Sequence, residues 1–163
     1  MKSMTFDLDV KLLKLRQACK DTGLSLTIQR RRVFETLLSR KDHPSADDLY
    51  HDIRAQLPGI SRTTVYRVLD TLVELGVVSK VSHPGVSVRF DPIPEGHNHL
   101  VCLQCEKISD LHDSGTKTLS VPKMGQNDFK IKDYSIYFRG ICAVCQMTRK
   151  NKTQKPSRRQ RHD

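Results

Sequence analysis

Residues 61–90 read SRTTVYRVLDTLVELGVVSKVSHPGVSVRF, and this stretch decides the fold of the N-terminal half. Ser61 is a favourable helix N-cap, and Gly76 is favourable just past a helix end. Between them, apolar residues recur at helical spacing and form one inward face: Val65, Val68, Leu69, Leu72 and Leu75. The residues that follow alternate and turn at Pro84-Gly85, which is typical of a β-hairpin. The stretch therefore predicts a helix followed by a hairpin wing.

The outward face of the same helix predicts contacts with DNA. Its first two turns carry Arg62, Thr63, Tyr66 and Arg67. Arg suits phosphate or guanine, whereas Thr and Tyr suit phosphate and the thymine methyl group in the major groove. The pattern indicates the recognition helix of a winged helix-turn-helix. A protein-interaction module with three helices and a hairpin is the alternative that this pattern leaves open.

Three further helices are predicted upstream. The first ends before Gly23, and its apolar face is expected to bury the thiol of Cys19. The second spans about 27–40. The third begins with a capping box, Ser45 with Asp48, and is stopped by Pro58-Gly59.

The charge of the chain favours nucleic acid as a partner. The formal net charge is +10 over 163 residues. Residues 151–163 hold five Lys and Arg against one Asp and have no apolar side chain to bury, so a disordered basic tail is predicted. It either touches phosphates or only aids solubility. Neither a membrane span nor a signal peptide is recognisable, so we expect a cytoplasmic protein without a membrane partner.

A break in periodicity divides the chain. Residues 91–96, DPIPEG, are predicted to be a hinge between a winged-helix domain (1–90) and a smaller domain (97–150). Beyond the hinge, strand-like runs at 97–101, 129–131 and 135–138 surround a segment, 111–124, too rich in Ser, Thr and Gly to predict a helix. The fold class is therefore α+β, with a winged helix-turn-helix followed by a small α/β domain.

The strongest chemical signal is the cysteine pattern C-x2-C-x36-C-x2-C, formed by Cys102, Cys105, Cys142 and Cys145. Two such knuckles supply four thiolates for one tetrahedral zinc ion, which leaves no position for water or substrate. A structural zinc ion contributes on the order of 10 kcal/mol in small zinc modules. We predict a closed structural zinc site, with buried free thiols or two disulfides as alternatives.

A second metal site is indicated by His97 and His99. The two residues alternate along a predicted strand, so both imidazoles point to one face. Asp110 lies at the end of the next strand-like run, where a hairpin return brings its carboxylate alongside. Imidazoles with carboxylates suit Fe(II), Mn(II) or Zn(II).

Five segments together resemble members of the ferric uptake regulator (Fur) superfamily. They are LTIQRRRVFETL, HPSADDLY, SRTTVYRVLDTLVELGVV, RFDPIPEGHNHLVCLQCEKISD and GICAVC, and the match covers about residues 11–150. The resemblance implies a C-terminal dimerisation domain, with the four cysteines as structural zinc ligands. It also implies a homodimer that binds a palindromic operator on double-stranded DNA and represses transcription when metallated.

The resemblance further implies a regulatory metal site that bridges the two domains. Its ligands are His43, Asp91, His97, His99 and Asp110. Iron-uptake members of the superfamily typically carry Glu at the positions of Asp91 and Asp110, whereas peroxide-sensing members carry Asp at both. The chain is therefore expected to sense hydrogen peroxide through Fe(II), with Mn(II) as the insensitive alternative metal. His43 and His97 are the oxidation candidates.

Other functions remain open on the sequence. An iron-, zinc- or manganese-responsive regulator of the same fold is the nearest alternative, and a thiol redox sensor is another. A zinc hydrolase or deaminase lacks support, because no HExxH or HxE general base adjoins the histidines. We therefore expect a regulator without enzymatic activity and without a small-molecule partner beyond metal ion and peroxide.

Overall fold

The protein is described here from a computed structural model, which describes residues 2–82, 87–93, 97–111 and 136–153, with side chains from residue 8 to residue 148. The chain divides into two compact units, Met1–Gly96 and His97–Asp163. Among the described residues, no helix is long and apolar enough to cross a membrane.

The N-terminal unit contains four helices and a two-stranded hairpin. They are α1 (Lys2–Asp21), α2 (Ile28–Ser39), α3 (Ala46–Ile53), α4 (Arg62–Glu74), β1 (Ser79–Val81) and β2 (Arg89–Asp91). The two strands are antiparallel, and Ser79 lies opposite Asp91. This is the predicted winged helix-turn-helix, although the Pro84-Gly85 turn lies outside the described residues.

Apolar faces of all four helices and the wing form one core. Its buried members include Leu15, Cys19, Phe34, Leu37, Leu49, Ile53, Leu69, Leu72, Val78 and Phe90. Helix α4 contributes the inward face predicted for it, with Val65, Val68, Leu69 and Leu72 buried and Leu75 packed against the core. Gly76 has φ +69°, as a residue just past a helix end requires. The buried thiol of Cys19 is confirmed as a core residue.

The C-terminal unit is a three-stranded sheet followed by a helix. The strands β3 (Asn98–Cys102), β4 (Ile108–Leu111) and β5 (Tyr137–Gly140) lie in the order β4-β3-β5, and α5 spans Ala143–Thr153. Strand β4 is antiparallel to β3, whereas β5 is parallel to it. The central residue His99 therefore has Asp110 on one side and Tyr137 on the other. The predicted segment 129–131 and residues 112–124 lie outside the described residues.

Three boundaries differ from the sequence predictions. Asp91 is the last residue of β2 and not the first residue of a hinge, because its backbone pairs with Ser79. Helix α3 ends at Ile53, where Gln56 N bonds to Ile53 O in a tight turn, and not at Pro58-Gly59. Helix α5 was not predicted, and it continues to Thr153, three residues into the predicted basic tail. Residues 154–163 lie outside the described part of the chain.

The predicted capping box at the start of α3 is present. Ser45 Oγ accepts a hydrogen bond from Asp48 N at 3.2 Å, and Asp48 Oδ2 accepts one from Ser45 N at 2.9 Å. Ser45→Ala removes the first bond, so we expect a loss of about 1 kcal/mol in the free energy of unfolding, measured by urea denaturation. Ser87→Ala, at an exposed position of the wing, is the control, and an equal loss there would contradict the assignment.

Candidate metal centres and recognition helix

The four predicted zinc ligands come together at one end of the C-terminal sheet. Cys102 ends β3, and the turn that follows carries Cys105 and is closed by Glu106 N bonding to Cys102 O at 2.9 Å. Glu106 has φ +59°, the left-handed conformation that reverses the chain there. Cys142 directly precedes α5, and Cys145 lies in its first turn. Helix α5 therefore directs its positive N-terminal end towards the cysteines.

The spacing of the four sulfur atoms fits a zinc ion. Their Sγ atoms all lie within 4.8 Å of one another, and Cys105 Sγ is 3.8 Å from Cys142 Sγ. Tetrahedral zinc with bonds of about 2.3 Å requires sulfur atoms about 3.8 Å apart, whereas a disulfide requires about 2.05 Å. All five cysteines are free thiols in the structure. The donor set is closed, so it suits a structural ion.

The protein environment prepares one of these thiols to ionise. Backbone amides of Cys142, Cys105 and Gln104 donate to Cys102 Sγ, and they lower the pKa of this thiol from 9.0 to about 6. Burial, together with the neighbouring sulfur atoms, raises the pKa of Cys145 to about 12. Four like charges at this spacing repel one another, so a divalent cation is the group that allows all four thiols to ionise together.

In the N-terminal unit, the structure places His43 beside Asp91. Both side chains are buried, and His43 Nε2 is 3.4 Å from Asp91 Oδ2. The other carboxylate oxygen, Oδ1, accepts a hydrogen bond from Ile93 N at 2.8 Å, which fixes the orientation of the carboxylate. His43 lies two residues before the N-cap of α3, and it has φ +49°. A non-glycine residue in this left-handed region is uncommon and is enriched at functional sites.

In the C-terminal unit, the structure brings together His97, His99 and Asp110. His97 Nε2 is 2.9 Å from Asp110 Oδ1, and His99 Nε2 is 3.9 Å from the same oxygen. The two imidazole centroids are 4.5 Å apart, so the rings adjoin as predicted, although β3 begins at Asn98 and His97 directly precedes the strand. The ring of His99 also stacks on that of Tyr137, with 5.7 Å between centroids. The histidines and the carboxylate converge as metal ligands do, and their nitrogen and oxygen donors suit Fe(II), Mn(II) or Zn(II).

The predicted DNA-contacting face of α4 is exposed. Arg62, Thr63, Tyr66 and Arg67 are all exposed, and Ser61 caps the helix by accepting from Thr64 N at 3.0 Å. Arg62 also has partners on α3, because its Nη1 lies 3.0 Å from Asp47 Oδ1 and its guanidinium lies 5.2 Å above the ring of Tyr50. Lys80 of the wing pairs with Asp70 of α4 at 2.7 Å. The wing and the recognition helix are thus joined by an ion pair.

Two residues near the metal ligands were missed by the sequence analysis. Tyr137 stacks on His99, and only the strand register, which the sequence does not give, places them together. Arg89 contacts the carbonyl oxygen of His43 and the carboxylate of Asp48. Its position two residues before Asp91 on a strand was a usable signal, because alternate strand residues share a face.

A winged helix-turn-helix with an exposed basic helix face, accompanied by a closed thiolate cluster and by histidine–carboxylate ligands, defines a metal-dependent transcriptional regulator. The chain belongs to the ferric uptake regulator family, whose sequence model matches residues 21–139. Members of this family are transcription regulators and bind DNA as dimers. The predicted cofactors, a structural zinc ion and a regulatory iron or manganese ion, are confirmed at the level of the family.

Similar proteins support this assignment. The "Peroxide operon regulator" of Bacillus subtilis is 31% identical over 83% of this chain and 93% of its own length. The ferric uptake regulator Fur of Helicobacter pylori, described as having three functional metal-binding sites, is 26% identical with a TM-score of 0.71, covering 85% of this chain and 93% of its own. A zinc uptake regulator in complex with zinc and DNA is 26% identical with a TM-score of 0.62, covering 88% of this chain and 97% of its own.

Proposed function

We propose that the protein is a peroxide-sensing repressor that binds a palindromic operator as a homodimer when a regulatory Fe(II) or Mn(II) ion is bound. The observation that carries the proposal is the ligand chemistry: three histidines accompanied by Asp91 and Asp110, both of them aspartates. The similarity to a peroxide operon regulator over most of both chains supports it. The proposal places the regulator in the cytoplasm, together with its DNA.

We infer that the five side chains bind one ion. The His43–Asp91 pair offers one nitrogen and one oxygen, and the His97–His99–Asp110 triad offers two nitrogens and one oxygen. The pair alone offers too few ligands for a transition metal, whereas the triad is a two-histidine, one-carboxylate set that leaves coordination positions open for further ligands. Asp91 and His97 are six residues apart in the chain, so their Cα atoms cannot be more than about 20 Å apart. A shared ion would therefore link the winged helix to the C-terminal unit across a short connection.

Such a link explains how metal occupancy controls DNA binding. Dimeric helix-turn-helix proteins place two recognition helices about 34 Å apart, one turn of DNA. With the ligands held together, the two domains of each subunit keep one orientation, and DNA affinity is high. When a ligand is lost, the orientation that binds DNA is only one of several. The apparent DNA affinity then falls in proportion to the fraction of the protein that is still in that orientation.

Peroxide would act by removing a ligand. Fe(II) held by these ligands would supply one electron to hydrogen peroxide, so that cleavage of the O–O bond gives hydroxide and a radical that oxidises a nearby side chain. In sum, one oxygen atom of the peroxide would be added to the ring and the other would leave as water. His43 and His97 are the proposed targets, and an imidazole ring that has gained an oxygen atom is a poor ligand. Mn(II) would support DNA binding without this sensitivity.

The test compares the Fe(II)- and Mn(II)-loaded proteins on a duplex selected by the Mn(II) form from a random-sequence library. We expect micromolar peroxide to release DNA from the Fe(II) form only, with one added oxygen atom on peptides that contain His43 or His97. Release without histidine oxidation contradicts the proposed chemistry. Release on metal depletion but not on peroxide would instead favour a metal-uptake regulator of the same family.

A further inference from the structure

Arg89 lies at the junction between the His43–Asp91 pair and helix α3. It is two residues before Asp91 on strand β2, and its side chain is 20% exposed. Its Nη1 atom donates to His43 O at 3.5 Å and to Asp48 Oδ2 at 3.3 Å. One guanidinium therefore contacts both the loop that carries a proposed metal ligand and the N-terminal turn of a helix.

The loop that Arg89 holds is conformationally unusual. His43 has φ +49°, a backbone conformation that is unfavourable for a non-glycine residue and persists only where neighbouring contacts impose it. Two contacts from β2 do so, namely the bond from Arg89 and the bond from Phe90 N to Pro44 O at 3.0 Å. The strand that carries Asp91 thus also sets the backbone of His43.

The other end of the contact leads to the recognition helix. Asp48, which accepts from Arg89, also accepts from the backbone N of Ser45, the N-cap of α3. The adjacent residue Asp47 lies 3.0 Å from Arg62, the first residue of α4. A displacement of the α3 N-terminus therefore changes the surroundings of Arg62 directly.

We propose that Arg89 is a positioning residue that couples metal binding at the His43–Asp91 pair to helix α3 and, through Asp47 and Arg62, to the recognition helix. This inference rests on the proposed function, because it requires that a regulatory ion raises DNA affinity. A bound ion fixes the side chains of His43 and Asp91, and Arg89 transmits that order to the capping box. Guanidinium suits the role because its N–H donors are held in a fixed plane, so that Nη1 contacts the carbonyl and the carboxylate together, whereas the ammonium of Lys is a single point of charge on a flexible stem.

The test measures DNA affinity with and without Mn(II) for the full-length protein and three variants, on the duplex selected by the Mn(II)-loaded wild type. The measured quantity is the ratio of the two affinities, which is about 5- to 150-fold for typical allosteric coupling. We expect the ratio for Arg89→Gln to be at least about tenfold lower than for the wild type, or to equal one if the wild-type ratio is below ten. Arg89→Lys should give an intermediate ratio. Arg54→Gln is the control, because it makes the same substitution at an exposed arginine at the C-terminal end of α3.

The ratio separates coupling from other effects. Loss of a positive charge weakens phosphate binding equally with and without Mn(II), so this effect cancels in the ratio. A purely structural role of Arg89 would lower the melting temperature without changing the ratio. By reciprocity, DNA must raise Mn(II) affinity less in Arg89→Gln than in the wild type. If folded Arg89→Gln keeps the wild-type ratio, the inference about Arg89 is wrong and the proposed function is unaffected. If the Gln variant does not fold, a wild-type ratio in Arg89→Lys has the same consequence. A wild-type ratio of one overturns the proposed function and this inference with it.

Discussion

Replacing Cys102 by Ser is expected to release the structural zinc ion and to unfold the C-terminal unit. A serine hydroxyl does not ionise at neutral pH, so the substitution removes one of four thiolates from a closed site. Zinc binding contributes on the order of 10 kcal/mol to small zinc modules, which is comparable to the whole stability of a domain. The described strands of this unit are short, four or five residues each, and contribute few buried apolar side chains. Zinc content and amide hydrogen exchange of the sheet measure the effect.

The buried thiol of Cys19 provides the matched control. It lies in the core of the N-terminal unit, outside the cluster, so Cys19→Ala is expected to keep zinc and to leave the sheet protected from exchange. The Cys102→Ser protein is expected to lose dimerisation, and DNA binding with it, while helices of the N-terminal unit remain protected. One zinc equivalent retained by a folded Cys102→Ser protein would show that the cluster is not a structural site.

The winged helix was predictable because local signals agree with tertiary packing. Ser61 caps α4 in the structure as its residue type predicts, and the inward face of that helix is buried as its spacing requires. The capping box of α3 followed from the same logic. Prediction failed at the end of α3, where a tight turn after Ile53 ends the helix before the Pro58-Gly59 signal, and for α5, which was not predicted. The second cysteine knuckle lies at the start of α5, with Cys142 directly before the helix and Cys145 in its first turn, so the metal-binding interpretation of this segment concealed a helix.

The metal ligands show a different limit. Spacing alone indicated the four cysteines and the pairing of His97 with His99, since both follow from short-range geometry. Sequence logic gave no reason to select His43 or Asp91, which are 48 residues apart and were implied only by the resemblance to a family. The left-handed backbone of His43 and the bond from Arg89 to its carbonyl are products of tertiary contacts. No local propensity encodes either of them.

His99→Ala is expected to abolish the response of DNA binding to Mn(II). His99 is buried at the centre of the sheet, between Asp110 and Tyr137, and its ring adjoins that of His97. The substitution removes one of the three proposed nitrogen ligands. Even changes to residues that only orient a ligand weaken metal binding by about 10- to 100-fold, so loss of a ligand itself should weaken Mn(II) binding by at least that factor. DNA affinity in Mn(II) should then equal that of the metal-free protein.

His51→Ala is the matched control, because His51 is an exposed histidine of α3 and the same atoms are removed. It should keep wild-type Mn(II) affinity, measured by electron paramagnetic resonance. His99→Ala also leaves a cavity in the sheet, so zinc content and the melting temperature of the metal-free protein must be compared with wild type to show that the unit is folded. If folded His99→Ala bound Mn(II) and DNA as the wild type does, the triad would not be a regulatory site. Because His99 belongs to the C-terminal unit and the recognition helix to the N-terminal unit, a selective loss of the Mn(II) response would be direct evidence that the ion acts between them.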